Sequence, residues 1–210
     1  MTQPLTDAIN ALTRYANETT GQSDTNLSDA VRTLCDGYGG GDDFTRKTIM
    51  ALGVKAFKNC ALPETLLFPN VTNAMEQSLN MVTGIRIIVL PKIATLGPYA
   101  FSDSPTGYEV IDLGSNFSTI SNWQFSDDRK LKTLLLRSSA MIALMNVNAF
   151  NKTPFASGGT GGTLYVPQDL ISSYQSASNW STILGYANNQ ILSIEGSIYE
   201  TQYADGTPIE

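Results

Sequence analysis

Residues 54–167 repeat one unit, whose first copy reads Ala56-Phe57-Lys58-Asn59-Cys60 and then Leu66-Leu67-Phe68-Pro69. The unit joins a turn centred on a phenylalanine to a short apolar run. One unit, near Ser78-Leu79, has no phenylalanine. The later turns are centred on Phe101, Phe125 and Phe150, and the later runs are Ile87-Ile88-Val89-Leu90-Pro91, Val110-Ile111-Asp112-Leu113-Gly114, Leu134-Leu135-Leu136-Arg137 and Leu164-Tyr165-Val166-Pro167.

The spacing of the unit predicts a solenoid. The residues that end the runs follow one another after 22 to 30 residues, and the longest step contains the glycine-rich stretch 157–162, which we interpret as a loop insertion. A strand this short cannot bury a core alone, so successive coils must stack. We therefore predict an α/β fold in which residues 66–68, 87–90, 110–113, 134–136 and 164–166 form parallel neighbours in chain order, above a ladder of buried phenylalanines.

The pattern A-F-x-x-C-x-L at residues 56–62, followed by L-x-x-P-x-V at residues 66–71, resembles the BspA-like leucine-rich repeat of bacterial and phage surface proteins. Residues 164–170 with Tyr174 and Trp180 resemble the segment that closes such arrays. The resemblance implies a scaffold or binding surface. Repeat two lacks its phenylalanine and repeat four has Arg137 where the pattern has proline, so these two coils are expected to be irregular.

We divide the chain into five parts. Residues 1–38 are predicted to form a helical hairpin for attachment, and residues 39–47, which contain three consecutive glycines, a flexible joint. The leucine-rich-repeat solenoid follows over 48–167, with a C-terminal cap over 168–195 that covers the open end of the stack. Residues 196–210 are expected to be a tail that is extended or ordered only by a partner.

The predicted hairpin has an apolar face on each helix. Two short helices cannot hide both faces against each other, and exposed apolar surface marks an interface. We expect this face to bind another copy of the chain or a virion protein. The stretches 5–9 and 27–32 also resemble the start of many phage tail and capsid accessory proteins. The predicted attachment residues are Leu5, Ile9, Leu12, Leu27, Val31 and Leu34.

Composition argues against several classes of function. The net charge is −6 and only 15% of residues are charged, which does not suit a nucleic-acid backbone. The N-terminus has no apolar segment typical of a secretory signal, and no run of about 18 apolar residues occurs, so we expect neither export by a signal peptide nor membrane insertion.

Residue types also argue against catalysis. Histidine is absent, which removes histidine bases and histidine metal ligands. The glycine-rich stretch 157–162 lacks the lysine of a phosphate-binding loop. The adjacent carboxylates Asp42-Asp43 and Asp127-Asp128 are interpreted as solvated turns. We therefore expect no enzyme activity, no cofactor and no bound metal.

Tyr108 and Trp123 lie outside the strict repeat positions and are the candidate surface contacts, because aromatic side chains anchor interfaces. The favoured function is that of a non-enzymatic structural or adhesion protein of a bacteriophage virion, assembled in the host cytoplasm. Its expected partners are other virion proteins or copies of itself, and a glycan or protein of the host surface. The alternative is a bacterial surface adhesin of the same repeat family.

Overall fold

The computed structural model describes residues 49–209, and the predicted attachment helices lie outside this range. The described chain is a stack of coils, each of which contributes a strand to one long parallel sheet. The six strands of that sheet are β2 (Thr65–Leu67), β4 (Ile87–Leu90), β6 (Val110–Leu113), β8 (Thr133–Leu136), β10 (Thr163–Val166) and β11 (Gln190–Ser193). They lie in the order β11-β10-β8-β6-β4-β2, with every pair parallel. The predicted parallel order is confirmed.

Each of the first five coils also has a second, two-residue strand, which the sequence did not predict. These strands lie on another side of the stack and pair in parallel as β1-β3-β5 and β7-β9. Runs of two residues are too short to show the alternation that identifies a strand. They are β1 (Ala51–Leu52), β3 (Asn73–Ala74), β5 (Thr95–Leu96), β7 (Thr119–Ile120) and β9 (Ala143–Leu144).

The third side of each coil is a turn whose backbone bonds to the next coil. The amide of Phe57 donates to the carbonyl of Ser78 at 2.7 Å, and Phe101 donates to Gln124 at 3.2 Å. Two residues of each of the first four turns have a left-handed backbone, with φ between 53° and 64°, which is uncommon for residues other than glycine and typical of tight turns. They are Lys55 and Asn59, Gln77 and Met81, Tyr99 and Asp103, and Trp123 and Asp127.

The phenylalanine ladder runs through the centre of the stack. The rings of Phe101 and Phe125 stack with centroids 5.7 Å apart, and those of Phe125 and Phe150 at 5.4 Å. In repeat two, Leu79 is fully buried at the equivalent position. Phe57, in the first coil, is 9% exposed. The buried ladder is confirmed.

The two departures from the repeat pattern do not disturb the sheet. β4 pairs with β6 over four consecutive residues, and β6 pairs with β8 over four more, so the register passes unbroken through the coil that ends in Arg137. The expectation of irregular coils is therefore wrong in the sheet. In repeat two, Leu79 occupies the position of the missing phenylalanine ring, and in repeat four the side chain of Arg137 lies outside the core.

The C-terminal end of the stack is covered by α1 (Ile171–Ser176) and α2 (Ser178–Leu184), which follow a 3-10 turn at Gln168–Leu170. The indole Nε1 of Trp180 donates to the carbonyl of Ile142 at 2.7 Å, and the amide of Ile142 donates to the Tyr174 hydroxyl at 2.9 Å. Both aromatic side chains are buried. The cap is thus attached to the last coil by hydrogen bonds as well as by apolar packing. A second 3-10 turn, Val147–Phe150, carries the last ring of the ladder.

Candidate functional site

The outer face of the six-stranded sheet is the candidate site. Because side chains alternate along a strand, the residues between the core positions point away from the core. In β4 the core contains Ile88 and Leu90, which leaves Ile87 and Val89 on the outer face. The same alternation in the other strands places Leu67, Val89, Asp112, Leu135, Tyr165 and Leu192 in one row across the face.

The middle of this row is hidden from solvent. Val89 and Leu135 have no exposed surface, and Asp112 is 1% exposed, although none of the three belongs to the core cluster. At the C-terminal end of the same row Leu192 is 41% exposed. Something therefore covers the middle of the outer face.

A buried ion pair lies at this covered place. Asp112 in β6 faces Arg137, which directly follows β8, and the two side chains meet through two parallel bonds. Arg137 Nε lies 2.7 Å from Asp112 Oδ1, and Nη2 lies 2.8 Å from Oδ2. The side chains are 10% and 1% exposed. Burial raises the pKa of Asp112, while the bonds from Arg137 and from a backbone amide oppose that rise.

The cover is the C-terminal segment, residues 196–209. Arg137 Nη1 donates to the carbonyl of Tyr199 at 2.8 Å, and Nη2 donates to the carbonyl of Gln202 at 3.0 Å. The backbone amide of Ala204 donates to Asp112 Oδ2 at 2.9 Å. The prediction of a tail ordered only by a partner is therefore wrong, because the ion pair of the sheet binds the segment's backbone within one chain.

Two tyrosines of the C-terminal segment add side-chain contacts. The ring of Tyr199 meets the ring of Tyr165 edge to face, with centroids 4.9 Å apart. The guanidinium carbon of Arg137 lies 5.1 Å from the centre of the Tyr203 ring, within the range of a cation–π contact. Burial raises the pKa of the Tyr199 hydroxyl. The outer face of the sheet thus contacts both the backbone and the aromatic side chains of the C-terminal segment.

The C-terminal segment has its own fold. The amide of Tyr203 donates to the carbonyl of Thr207 at 2.8 Å, and that of Ile209 to Thr201 at 3.0 Å, which makes a short antiparallel hairpin. Its turn contains Gly206 with φ +86°. The carboxylate of Asp205 accepts from the Thr207 amide and hydroxyl at 3.0 and 2.9 Å.

An open cleft of about 290 Å³ lies beside the ion pair. It lies between the C-terminal segment and the residues that end the apolar runs. Its walls include Pro91, Gly114, Arg137, Pro167, Tyr203 and Ile209. The positions that the repeat pattern reserves for proline therefore form one edge of the face.

A second groove, of about 420 Å³, lies beside the glycine-rich insertion. The insertion packs closely, because a Cβ on Gly162 would lie 2.5 Å from the ring of Phe155 and one on Gly159 would lie 2.3 Å from the carbonyl oxygen of Pro154. The groove combines amide, hydroxyl and apolar side chains, including Asn148, Asn151, Lys152, Ser157, Ile183 and Tyr186.

The predicted surface contacts differ in their placement. Tyr108 is fully buried, its hydroxyl donates to the carbonyl of Leu79 at 2.9 Å, and its ring meets Phe101 edge to face at 5.2 Å. The prediction that Tyr108 contacts a partner is therefore wrong. Trp123 lies half-buried at an outer corner of its coil. The six attachment residues of the predicted hairpin lie outside the described residues.

The interpretation of Asp127-Asp128 as a solvated turn holds for Asp127 and is wrong for Asp128. Asp127 binds Arg129 and Lys152 at the surface, at 2.6 and 3.0 Å, and these contacts lower its pKa. Asp128 is fully buried. Its Oδ1 accepts from the amide of Ser104 at 3.0 Å, its Oδ2 has no hydrogen-bond partner within residues 49–209, and burial raises its pKa well above the usual value.

Sequence reasoning missed the ion pair, although its residues carry a signal. Asp112 is a charged residue within an otherwise apolar run, and Arg137 replaces proline one coil later. A charge of each sign at the outer positions of neighbouring strands is the pattern of a cross-strand pair. The contribution of the C-terminal segment has no such signal, because its carbonyls and amide act through the backbone.

A model of the BspA type leucine-rich repeat region matches residues 47–160 in six copies, which is more than half of the chain. The protein belongs to this family of leucine-rich-repeat proteins. Such repeats serve in surface adhesion and protein–protein interaction, and the family is generally non-enzymatic. No curated protein and no solved structure matches the chain significantly.

Two further findings concern residues 49–209 alone. No helix among them is long and apolar enough to cross a membrane. Nor does this part of the chain bring together three or more histidine, cysteine, aspartate or glutamate side chains that could hold a metal ion.

Proposed function

We propose that this chain is a non-enzymatic structural protein of a bacteriophage virion, in which residues 1–38 attach it to the particle and the repeat domain makes protein contacts or adheres to the host surface. The observation that carries the contact role is the outer sheet face, where Asp112 and Arg137 hold a peptide backbone at 2.8 to 3.0 Å. The virion role rests on the apolar faces of the predicted hairpin and on the likeness of its sequence to phage accessory proteins. The alternative role, that of a bacterial surface adhesin, rests on the repeat family.

The test is incorporation into particles. Replacing Leu5, Ile9 and Leu12 with serine removes the apolar face of the first predicted helix, whereas replacing Gln3, Thr6 and Asn10 with serine makes the same number of changes at polar positions. We expect the first variant to be absent from purified particles and the second to be present, with equal expression and equal thermal stability. Equal incorporation of both variants would contradict an attachment role, and display on a bacterial cell surface would favour the adhesin.

A further inference from the structure

The outer face of the sheet holds the C-terminal segment in the way that a receptor holds a peptide. Three of the polar contacts join the ion pair to backbone atoms of the segment, namely the carbonyls of Tyr199 and Gln202 and the amide of Ala204. Backbone contacts of this kind accept any segment that presents two carbonyls and an amide in the same arrangement, whereas side-chain contacts select the sequence. Here the selective contacts come from Tyr199 and Tyr203.

The receptor side is assembled by the coils and not by the segment. Asp112 belongs to β6 and Arg137 directly follows β8, and these strands pair over four residues. Tyr165 belongs to β10, the next strand of the sheet. The three side chains therefore stand on a rigid sheet, which is a preorganised site for a ligand.

The C-terminal segment is joined to the domain by a short exposed connection. Glu195 and Gly196 are exposed, and Gly196 has a left-handed backbone with φ +77° and nothing within 4 Å of an added Cβ. Ile198, at the start of the segment, is 67% exposed. Within residues 49–209 the core cluster ends at Ile183, so release of the segment uncovers Val89 and Leu135 on the outer face but leaves that cluster in place.

We propose that the outer face around Asp112, Arg137 and Tyr165 is a peptide-binding site, that the C-terminal segment is its intramolecular ligand, and that a partner protein binds by displacing it with a hairpin-forming segment that bears tyrosines. This inference rests on the protein-contact part of the proposed function and names the class of partner. The attached segment has a high effective concentration at the site, so it lowers the apparent affinity of any competitor.

The experiment uses the full chain with a weakened segment. In the variant Tyr199→Ala with Tyr203→Ala the receptor side chains are unchanged, while both aromatic contacts of the segment are lost. The probe is a fluorescent synthetic peptide with the sequence of residues 197–209, and its binding is measured by anisotropy. We expect the variant to bind the peptide at least about tenfold more tightly than the unaltered chain does.

Two controls make the result specific. A peptide with alanine in place of both tyrosines is expected not to bind. Adding Asp112→Asn with Arg137→Gln to the variant removes both charges together, so no unpaired charge is left buried, and is expected to abolish binding of the original peptide. Equal peptide binding by the variant and the unaltered chain, or binding that is indifferent to the loss of the ion pair, would overturn the proposal.

Hydrogen exchange on the unaltered chain provides a second measurement that needs no variant. The amides of residues 199–207 and of Ile209 are expected to exchange through local opening, well before those of β6 and β8. Exchange of the segment and the sheet only together, through global unfolding, would show that the segment is a fixed part of the fold. Failure of either experiment leaves the particle test unaffected, because that test depends on residues 1–38.

Discussion

At the scale of single residues, one hydrogen-bond scheme recurs in successive coils at the buried position three residues after each phenylalanine of the ladder. This position is occupied by Ser104, Asp128 and Thr153. The hydroxyl of Ser104 donates to the carbonyl of Phe101 at 3.2 Å and accepts from the amide of Val82 at 3.1 Å. The hydroxyl of Thr153 donates to Phe150 at 2.7 Å. Asp128 occupies the same position in the coil between them, and its Oδ1 accepts as the scheme requires. Ser104 and Thr153 each donate a hydroxyl proton, whereas an ionised Asp128 has none to donate, and its Oδ2 has no hydrogen-bond partner among the described residues.

We expect Asp128→Asn to stabilise the protein at pH 7. An asparagine can accept from the Ser104 amide through Oδ1 and brings no charge into this buried position. Burial is the main cause of the raised pKa of Asp128, and the negative charges of Asp103 and Asp127 add to it. The Tyr108 hydroxyl also interacts electrostatically with the Asp128 carboxyl. Each pKa unit of this rise lowers the free energy of unfolding by about 1.4 kcal/mol once the pH is above the pKa of the folded state.

The pH dependence follows from the direction of the shift. Because the pKa of Asp128 is higher in the folded than in the unfolded protein, the folded state binds more protons between the two pKa values. This group therefore destabilises the fold increasingly as the pH rises from the unfolded pKa to the folded one. Urea unfolding of the original chain and the variant across this range measures the effect. Curves that stay parallel at all pH values would show that folding does not raise the pKa of Asp128.

The phenylalanine ladder gives a second prediction at this scale. Phe101 is fully buried and touches the rings of Phe125 and Tyr108. Phe101→Ala should cost about 3–5 kcal/mol of unfolding free energy, measured by urea denaturation. Phe57→Ala, at a ring that remains 9% exposed, is the matched control and should cost less. A loss at Phe101 below about 1 kcal/mol would contradict its place in the ladder.

At the scale of elements, close stacking of the coils depends on a residue without a side chain. Gly114 follows β6, and its amide donates to the carbonyl of Leu90 at 3.0 Å. A Cβ at this position would lie 1.5 Å from the carbonyl oxygen of Pro91. The repeat pattern has proline here in other coils, so the glycine marks a closer approach of two neighbouring coils.

We therefore expect Gly114→Ala to destabilise the protein by about 1–3 kcal/mol, because the coils must separate to admit the methyl group. Gly53→Ala is the matched control, since nothing lies within 4 Å of an added Cβ there and its backbone is not left-handed. Thermal unfolding followed by circular dichroism compares the two. Equal melting temperatures for the two variants would mean that the backbones of these coils do not approach so closely.

At the scale of the whole molecule, the solenoid exposes a ladder of alternating charge at one edge of its outer face. Glu64, Arg86, Glu109 and Lys132 precede successive strands, and Arg86 lies 2.9 Å from Glu64 and 3.6 Å from Glu109. The side chains of Glu64, Arg86 and Glu109 are between 38% and 68% exposed, so the two pairs contribute little to stability. The buried pair of Asp112 and Arg137 differs, because the C-terminal segment closes over it and satisfies its remaining hydrogen-bonding atoms.

The sequence by itself determined the solenoid. The spacing of Pro69, Pro91, Gly114, Arg137 and Pro167 and the recurring phenylalanines predicted the parallel sheet, its strand order and the buried ladder, because each coil repeats one local pattern and contacts only its neighbours. Both short helices, Ile171–Ser176 and Ser178–Leu184, lie within the C-terminal cap predicted over residues 168–195.

Only the tertiary structure decided what covers the outer face. The hydrogen bonds from Arg137 to Tyr199 and Gln202 span 62 and 65 residues, and the bond from Ala204 to Asp112 spans 92. They end on backbone atoms, which every residue has, so no sequence pattern marks them. Burial of Tyr108 and Asp128 likewise depends on the neighbouring coils that surround them. Short-range periodicity thus fixed the scaffold, and contacts across the stack fixed the site.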